Sequence, residues 1–123
     1  MIVLATTSQA LKAALATSTS TTQWQLSAVY YDYLPQRTDQ VQRFAAHLTT
    51  TFNTTDVLAV PAPGADGIVR NITNLSAYNA DVSTFAAITY KIDNAGTAVG
   101  QKKHNVSTGQ TLVYEHGTGW QVL

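Results

Sequence analysis

The chain has 123 residues, the size of one domain, and its seven basic and seven acidic side chains give a formal net charge of zero. This balance excludes the basic surface of a nucleic-acid-binding protein, since only Lys102 and Lys103 stand together. The absence of cysteine excludes disulfides and thiolate metal sites, and no stretch has the roughly 18 apolar residues of a membrane span.

Residues 1–22 allow two interpretations, and the sequence does not decide between them. A Thr-Ser pair would cap a short helix that carries Leu11 and Leu15 four residues apart. A helix this short is marginal unless it docks on other elements, so an extended arm that ends in a Thr- and Ser-rich linker is the equal alternative. We therefore predict an N-terminal arm, extended or short-helical, over residues 1–22 and a β-domain over residues 23–123.

From residue 23 onward, apolar and polar residues alternate as they do in half-buried strands. The segment Gln23–Tyr33 shows this most clearly, because Trp24, Leu26 and Tyr30 fall on one face. The segment Val41–Phe52 also fits helical spacing, and we favour a strand there. The further predicted strands are Asp56–Val60, Ile68–Ala77, Thr84–Ile92, Thr97–Val106 and those of the closing hairpin Gln110–Leu123.

Local signals predict how some of these strands pair. In the strand after residue 67 the apolar residues change parity, so a β-bulge near Thr73 and Asn74 is needed to bring them all to the core. In the last hairpin, a turn about Gly117 places Tyr114 opposite Trp120.

The strands follow one another at the spacing typical of sandwiches, and the segments between them contain glycine, proline or asparagine. The strand over residues 97–106 is polar, which is typical of a sheet edge. We therefore predict an all-β fold, namely an antiparallel β-sandwich that is jelly-roll-like and has seven to eight strands.

The sequence offers few residues for catalysis or metal binding. The chain has three histidines, His47, His104 and His116, and without a third ligand or a positioned carboxylate any two of them make a poor zinc site. The acidic residues are scattered singly, so no carboxylate pair for glycoside hydrolysis is predicted. No phosphate-binding loop or nucleophile elbow is present. We therefore predict a protein that is not an enzyme and that holds no metal or cofactor.

The charge content favours a subunit of an assembly. Charged residues make up 11% of the chain, whereas about 25% is typical of soluble domains. Protein interfaces are depleted in Lys, Glu and Asp, because a neutral polar surface loses its water at lower cost.

Short motifs at the ends of the predicted strands carry a family resemblance. They are Val60–Pro63, Val69–Ile72, Ala77–Asn79, Ser107–Leu112 and Gly119–Leu123, together with Ala5–Ser8 and Ala28–Asp32. This series resembles small β-rich virion proteins of tailed bacteriophages, namely the head-decoration (cement) proteins and related tail-associated subunits.

The resemblance implies a structural protein of the virion. It would form a homo-oligomer, expected to be a trimer, on the capsid surface and stabilise the capsid by bridging subunits of the major capsid protein. A tail, neck or baseplate subunit is the alternative, and neither nucleic acid nor a membrane is an expected partner. Because arms and loops can wrap a partner while a sandwich stays rigid, the candidate interface residues are Leu4, Leu11, Leu15, Tyr31, Tyr33, Arg37, Pro61 and Pro63.

A binding module for host glycans is an alternative of another class. Aromatic rings stack on sugars, and Trp24, Tyr30, Tyr31 and Tyr33 stand close together in the sequence. The competing interpretation is that these tyrosines belong to the core and to its rim.

Overall fold

The computed structural model describes residues 2–19, 22–34, 43–51, 53–82 and 86–123. This part of the chain forms β-strands and no helix. The strands are β1 (Ile2–Leu4), β2 (Gln9–Leu15), β3 (Trp24–Tyr33), β4 (Arg43–Thr51), β5 (Val57–Val60), β6 (Val69–Tyr78), β7 (Ala86–Asn94), β8 (Thr97–Val106), β9 (Thr111–Glu115) and β10 (Gly119–Val122).

The strands form two antiparallel sheets. Sheet A has six strands in the order β10-β9-β6-β3-β4, and its sixth strand, β1, also pairs with β6. Sheet B has four strands in the order β5-β2-β7-β8. A jelly roll has eight strands, so the coarser description, an antiparallel β-sandwich, is the one that this arrangement supports. The predicted strand number of seven to eight was too low.

One hydrophobic core lies between the two sheets. Most strands contribute alternate residues, as the period of two in a strand requires. β5 contributes the consecutive residues Ala59 and Val60, and β6 changes parity at its bulge. The buried residues of this core are Leu4, Leu11, Ala13, Leu15, Trp24, Leu26, Ala28, Tyr30, Ala59, Val60, Ile72, Leu75, Ala77, Ile88, Tyr90, Val106, Leu112 and Tyr114.

The N-terminal segment departs from both interpretations of the sequence. It is extended, but it is neither an arm nor a helix, since β1 pairs with β6 in sheet A and β2 lies between β5 and β7 in sheet B. Leu11 and Leu15 share a face in a strand as well as in a helix, because their spacing of four residues is even. Burial of Leu11, Ala13 and Leu15 against both sheets stabilises the strand, and the predicted boundary after residue 22 separates no arm from the sandwich.

Two predictions of strand pairing are confirmed. Val29 pairs with Asn74 and Tyr30 with Ile72, so Thr73 is the extra residue of a β-bulge in β6. Tyr114 pairs with Trp120 across the last hairpin.

The β7–β8 hairpin turns at Ala95 and Gly96, which have φ angles of 51° and 96°. Positive φ at both central residues is the conformation of a type I′ turn, whose twist matches that of the strands. In sheet B, β8 is the last strand and pairs with no described strand other than β7. The polar edge strand predicted over residues 97–106 is therefore confirmed.

Arg70 ties three parts of the chain together on the inner side of sheet A. Its Nε and Nη2 donate to the two carboxylate oxygens of Asp32 on β3, at 2.8 and 2.9 Å. Its Nη1 donates to the carbonyl oxygens of Pro61 and Ala62, at 2.6 and 3.2 Å, and its guanidinium lies over the ring of Tyr30. The hydrogen bonds to Asp32 hold the pKa of Arg70 above its ordinary value. This arrangement anchors the β5–β6 connection to the middle of sheet A.

The two open sides of the sandwich are bridged by histidines. On one side, His47 of β4 donates through Nδ1 to the carbonyl oxygen of Ala59 on β5, at 3.0 Å. On the other side, the ring of Trp120 on β10 lies 5.1 Å from that of His104 on β8 and 5.4 Å from that of Tyr90. Burial, and next the charge of Lys102, lowers the pKa of His104.

Replacement of Arg70 by methionine should lower the free energy of unfolding by about 2–4 kcal/mol, because the partly buried carboxylate of Asp32 and two carbonyl groups lose their donor. Lys91→Met is the matched control, since it breaks the more exposed pair with Asp56 and should cost about 1 kcal/mol or less. Urea unfolding followed by tryptophan fluorescence measures both. Equal losses in the two variants would contradict the role assigned to Arg70.

The lowered pKa of His104 should make stability depend on pH. Because the unfolded chain binds its proton at the ordinary value of 6.5 and the folded chain at a lower value, the free energy of unfolding should fall as the pH is lowered through that interval. His104→Phe keeps an aromatic ring against Trp120 and should flatten this part of the profile. Unfolding in urea across pH 5 to 7 (about the range in which histidine titrates) checks this, and identical profiles for the wild-type protein and the variant would contradict it.

Candidate contact surface

The outer face of sheet A carries the largest exposed apolar side chains of the strands. Phe44 and Leu48 on β4 are 67% and 76% exposed. Val29 on β3 and Tyr78 on β6 are 38% and 39% exposed. Alternation places them outward, because the neighbouring residues of β3 and β6 are in the core. We call these four residues, with Tyr31, the outer patch.

Cross-strand pairing holds the members of the outer patch side by side. Tyr31 pairs directly with Phe44, and their ring centroids are 5.4 Å apart. Tyr33 lies next to Tyr31, at 6.3 Å between centroids. Aromatic residues stacked along adjacent strands in this way are held by the backbone register and present a rigid surface.

A shallow groove of about 490 Å³ runs beside the outer patch on the same face. Leu48 and Tyr78 stand on its two sides, and Ser27 and Ser76 lie between them, with their hydroxyl oxygens 2.5 Å apart. The groove is therefore apolar at its rims and neutral at its floor.

The outer faces of the two sheets differ in charge. On sheet A, Glu115 is the one charged residue among the outward-facing strand positions whose side chains the structure describes. On sheet B, Lys12 lies 3.1 Å from Asp93, and Lys91 lies 2.6 Å from Asp56. The hydrogen bond from Lys12 holds the pKa of Asp93 below its ordinary value. Removing water from sheet A therefore costs less than removing it from sheet B, whose charges would lose their hydration.

Among the residues predicted from the sequence to form an interface, Tyr31 and Tyr33 lie half-buried at the outer patch. Leu4, Leu11 and Leu15 are 0%, 2% and 3% exposed, so they belong to the core and offer a partner no surface. This corrects the prediction, whose premise was a separate N-terminal arm.

The predicted interface residues Pro61 and Pro63 lie in the connection between β5 and β6. Pro61 is half-buried, and its carbonyl oxygen accepts a hydrogen bond from Arg70. Pro63 is buried, which leaves it little surface for a partner and corrects its assignment as well. Arg37 lies outside the described residues.

Sequence reasoning missed the exposed residues of β4. Once residues 41–52 are taken as a strand, Phe44 and Leu48 must share a face, because they are an even number of residues apart. The signal was therefore present. What the sequence could not give was the register of β4 against β3, which turns this face away from the core.

The described residues bring together no group of three or more His, Cys, Asp or Glu side chains that could hold a metal ion. None of the described segments forms a helix with the length and apolar character needed to cross a membrane. Comparison of the chain with protein-family models, with curated proteins and with solved structures found no match.

Proposed function

We propose that the chain is a structural subunit of a tailed-bacteriophage virion, which decorates the capsid and stabilises it by bridging major capsid subunits. The outer face of sheet A, with the outer patch at its centre, is the surface that meets the capsid. The observation that carries this proposal is the contrast between the outer face of sheet A, which is apolar and, apart from Glu115, neutral in its described side chains, and the ion-paired outer face of sheet B. The resemblance of the strand-end motifs to those of phage virion proteins is the reason to propose a virion as the assembly.

The physical requirements of a decorating subunit fit this surface. Each contact on a lattice can be weak, because many identical contacts act together and because bridging makes the second contact intramolecular. Such a contact needs a rigid apolar patch of ordinary interface size, about 800 Å² on each partner. A sheet face fulfils this need better than a mobile loop does, because its side chains are already ordered and lose little entropy on binding.

A tail, neck or baseplate subunit is the second location that the same surface would serve. The class of binding partner, a protein lattice, is unchanged in that case. The two locations differ in lattice symmetry, which only the position of the protein in the virion reveals.

The structure supports glycan binding less well than the sequence does. Trp24 and Tyr30, two of the four aromatic residues on which it was based, are 0% and 8% exposed. Tyr31 and Tyr33 remain at the surface together with Phe44, but the ring of Tyr31 is tilted by 30° to that of Tyr33 and by 50° to that of Phe44. The amide group beside Tyr31, that of its cross-strand partner Asn71, is only 3% exposed and offers a ligand little polar contact. Sugar recognition needs such polar groups to fix orientation.

Leu48→Asp should weaken binding to capsids at least about tenfold, because a charge would then be buried in the contact. Its fold should survive, since Leu48 is 76% exposed. Leu58→Asp is the matched control, with the same substitution at a 40% exposed position of sheet B. Co-sedimentation of the purified proteins with capsids of the encoding phage measures binding, and circular dichroism checks the fold. Equal binding by the two variants would contradict the assignment of sheet A.

The homotrimer has its own test. Light scattering of the purified chain should give three times its mass of 13.2 kDa, with a fraction that falls on dilution if the contacts are weak. A mass of one chain at every concentration would rule out the trimer in solution and leave the sheet A contact to be judged by the capsid-binding measurement.

A further inference from the structure

In the part of the chain that the structure describes, the edge of sheet B formed by β8 is free from Thr97 to Asn105. At the end of the strand, the carbonyl oxygen of Val106 accepts a hydrogen bond from Nδ2 of Asn79, at 2.9 Å. β8 pairs with β7 alone, and its residues from Thr97 to Lys103 are all exposed. Val99 is an extra residue in its pairing with β7, which makes a β-bulge there, but the strand is regular from Gly100 to Val106. This regular stretch presents unpaired backbone groups that an extended chain can pair with.

Of the basic side chains that the structure describes, the two without a carboxylate partner both lie on this strand. Among the lysine and arginine side chains that the structure describes, Lys12, Arg70 and Lys91 each contact a carboxylate. Lys102 and Lys103 contact none, and β8 contains no acidic residue. The edge therefore has an uncompensated positive charge, which favours an acidic partner.

A notch opens between the sheets beside this edge. Gly100 pairs with Ile92, which faces inward, so the glycine leaves empty the space that a side chain would fill. The resulting cavity of about 160 Å³ is lined by Ile2, Leu11, Tyr90, Ile92, Lys102 and Trp120, among others. A cavity of this size and apolar lining takes one aromatic ring. Lys102 stands at the next inward-facing position of β8, where its ammonium group is exposed beside the ring site.

We propose that the free edge of β8 binds an extended acidic segment of a partner protein by strand addition. One aromatic side chain of that segment fills the notch at Gly100. A carboxylate two residues away, on the same face of the added strand, pairs with Lys102, and a carboxylate three residues away, on the opposite face, pairs with Lys103. The backbone hydrogen bonds to Gly100–Asn105 supply affinity, and the notch and the lysines supply specificity.

The same charges argue against a second copy of β8 as the occupant. Two β8 edges side by side would place Lys102 and Lys103 of one chain near those of the other, and like charges across strands destabilise the pairing. An acidic strand replaces this repulsion by attraction. The edge thus discourages self-association and selects its partner by charge.

The inference deepens the proposed function and rests on it for one point, that the partner belongs to the same assembly. A bridging subunit needs two separate contact surfaces, and the β8 edge would be the second, beside the outer face of sheet A. The binding chemistry itself requires no capsid, so it can be tested with a synthetic peptide. If the peptide does not bind, the proposed contact of sheet A with the capsid is unaffected. If the protein does not bind capsids, the result of the peptide titration is unaffected.

The test titrates the ¹⁵N-labelled protein with the blocked peptide Thr-Glu-Glu-Val-Phe-Val-Thr, in which the phenylalanine and the second glutamate share one face and the first glutamate lies on the other. The chain has two tryptophans, so the indole signal of Trp120 at the notch can be followed against that of Trp24 in the core. We expect shifts of the Trp120 indole and of the Gly100–Val106 amides, and none of the Trp24 indole. A peptide with lysine in place of glutamate, and one with alanine in place of phenylalanine, should each bind at least about tenfold more weakly.

Two variants assign the binding to the edge. Gly100→Leu fills the notch, and it should fold because a Cβ at this position meets no atom within 4 Å and its φ is not positive. It should weaken binding at least about tenfold, whereas Gly64→Leu, at an equally open position in the β5–β6 connection, should not change it. The double variant Lys102→Glu, Lys103→Glu should lose the acidic peptide and gain the lysine peptide. Equal binding of both peptides by the wild-type protein, or undiminished binding by Gly100→Leu, would overturn the proposal.

Discussion

A shortage of charge is the constraint on which this structure depends. A sandwich buries one face of each sheet and leaves two outer faces in water, while the chain has seven acidic and seven basic side chains with which to cover them. The ion pairs of the described residues lie in few places, namely the Arg70–Asp32 pair inside sheet A and the pairs of Lys12 and Lys91 on sheet B. Apart from Glu115, the outer face of sheet A is left to neutral residues among the side chains that the structure describes. Apolar side chains on such a surface are exposed to water unfavourably, and a partner that covers them has few charges to desolvate. This is the physical reason to regard the face as a contact surface.

The inner side of the sandwich keeps that surface rigid. Arg70 joins β3, β6 and the connection after β5, and Trp120 packs against rings from both sheets. With the sheets locked together in this way, the side chains of the outer patch hold fixed positions set by strand register. The two sides of the sandwich nevertheless differ, because a hydrogen bond from His47 closes one, and the glycine at position 100 leaves a notch in the other.

Much of the sheet architecture could be predicted from the sequence, because alternation is a local signal. The strand around Trp24, the β-bulge at Thr73 and the pairing of Tyr114 with Trp120 all follow from parity along a few residues. The N-terminal strands could not be predicted, since a spacing of four residues places Leu11 and Leu15 on one face in a helix and in a strand alike. Pairing with strands that are distant in sequence makes this segment a strand. The contact surface could not be predicted for the same reason. Parity places Phe44 and Leu48 on one face of β4, but which face of the strand is buried depends on the opposing sheet.

The most direct measurement of the central claim is electron cryo-microscopy, at side-chain detail, of the virion to which we propose that the chain belongs. The account predicts that the chain lies on the capsid with the outer face of sheet A, including Phe44 and Leu48, against the major capsid subunits. Density that places this face in solvent and the ion-paired face of sheet B against the lattice would contradict it, as would a virion from which the chain is absent.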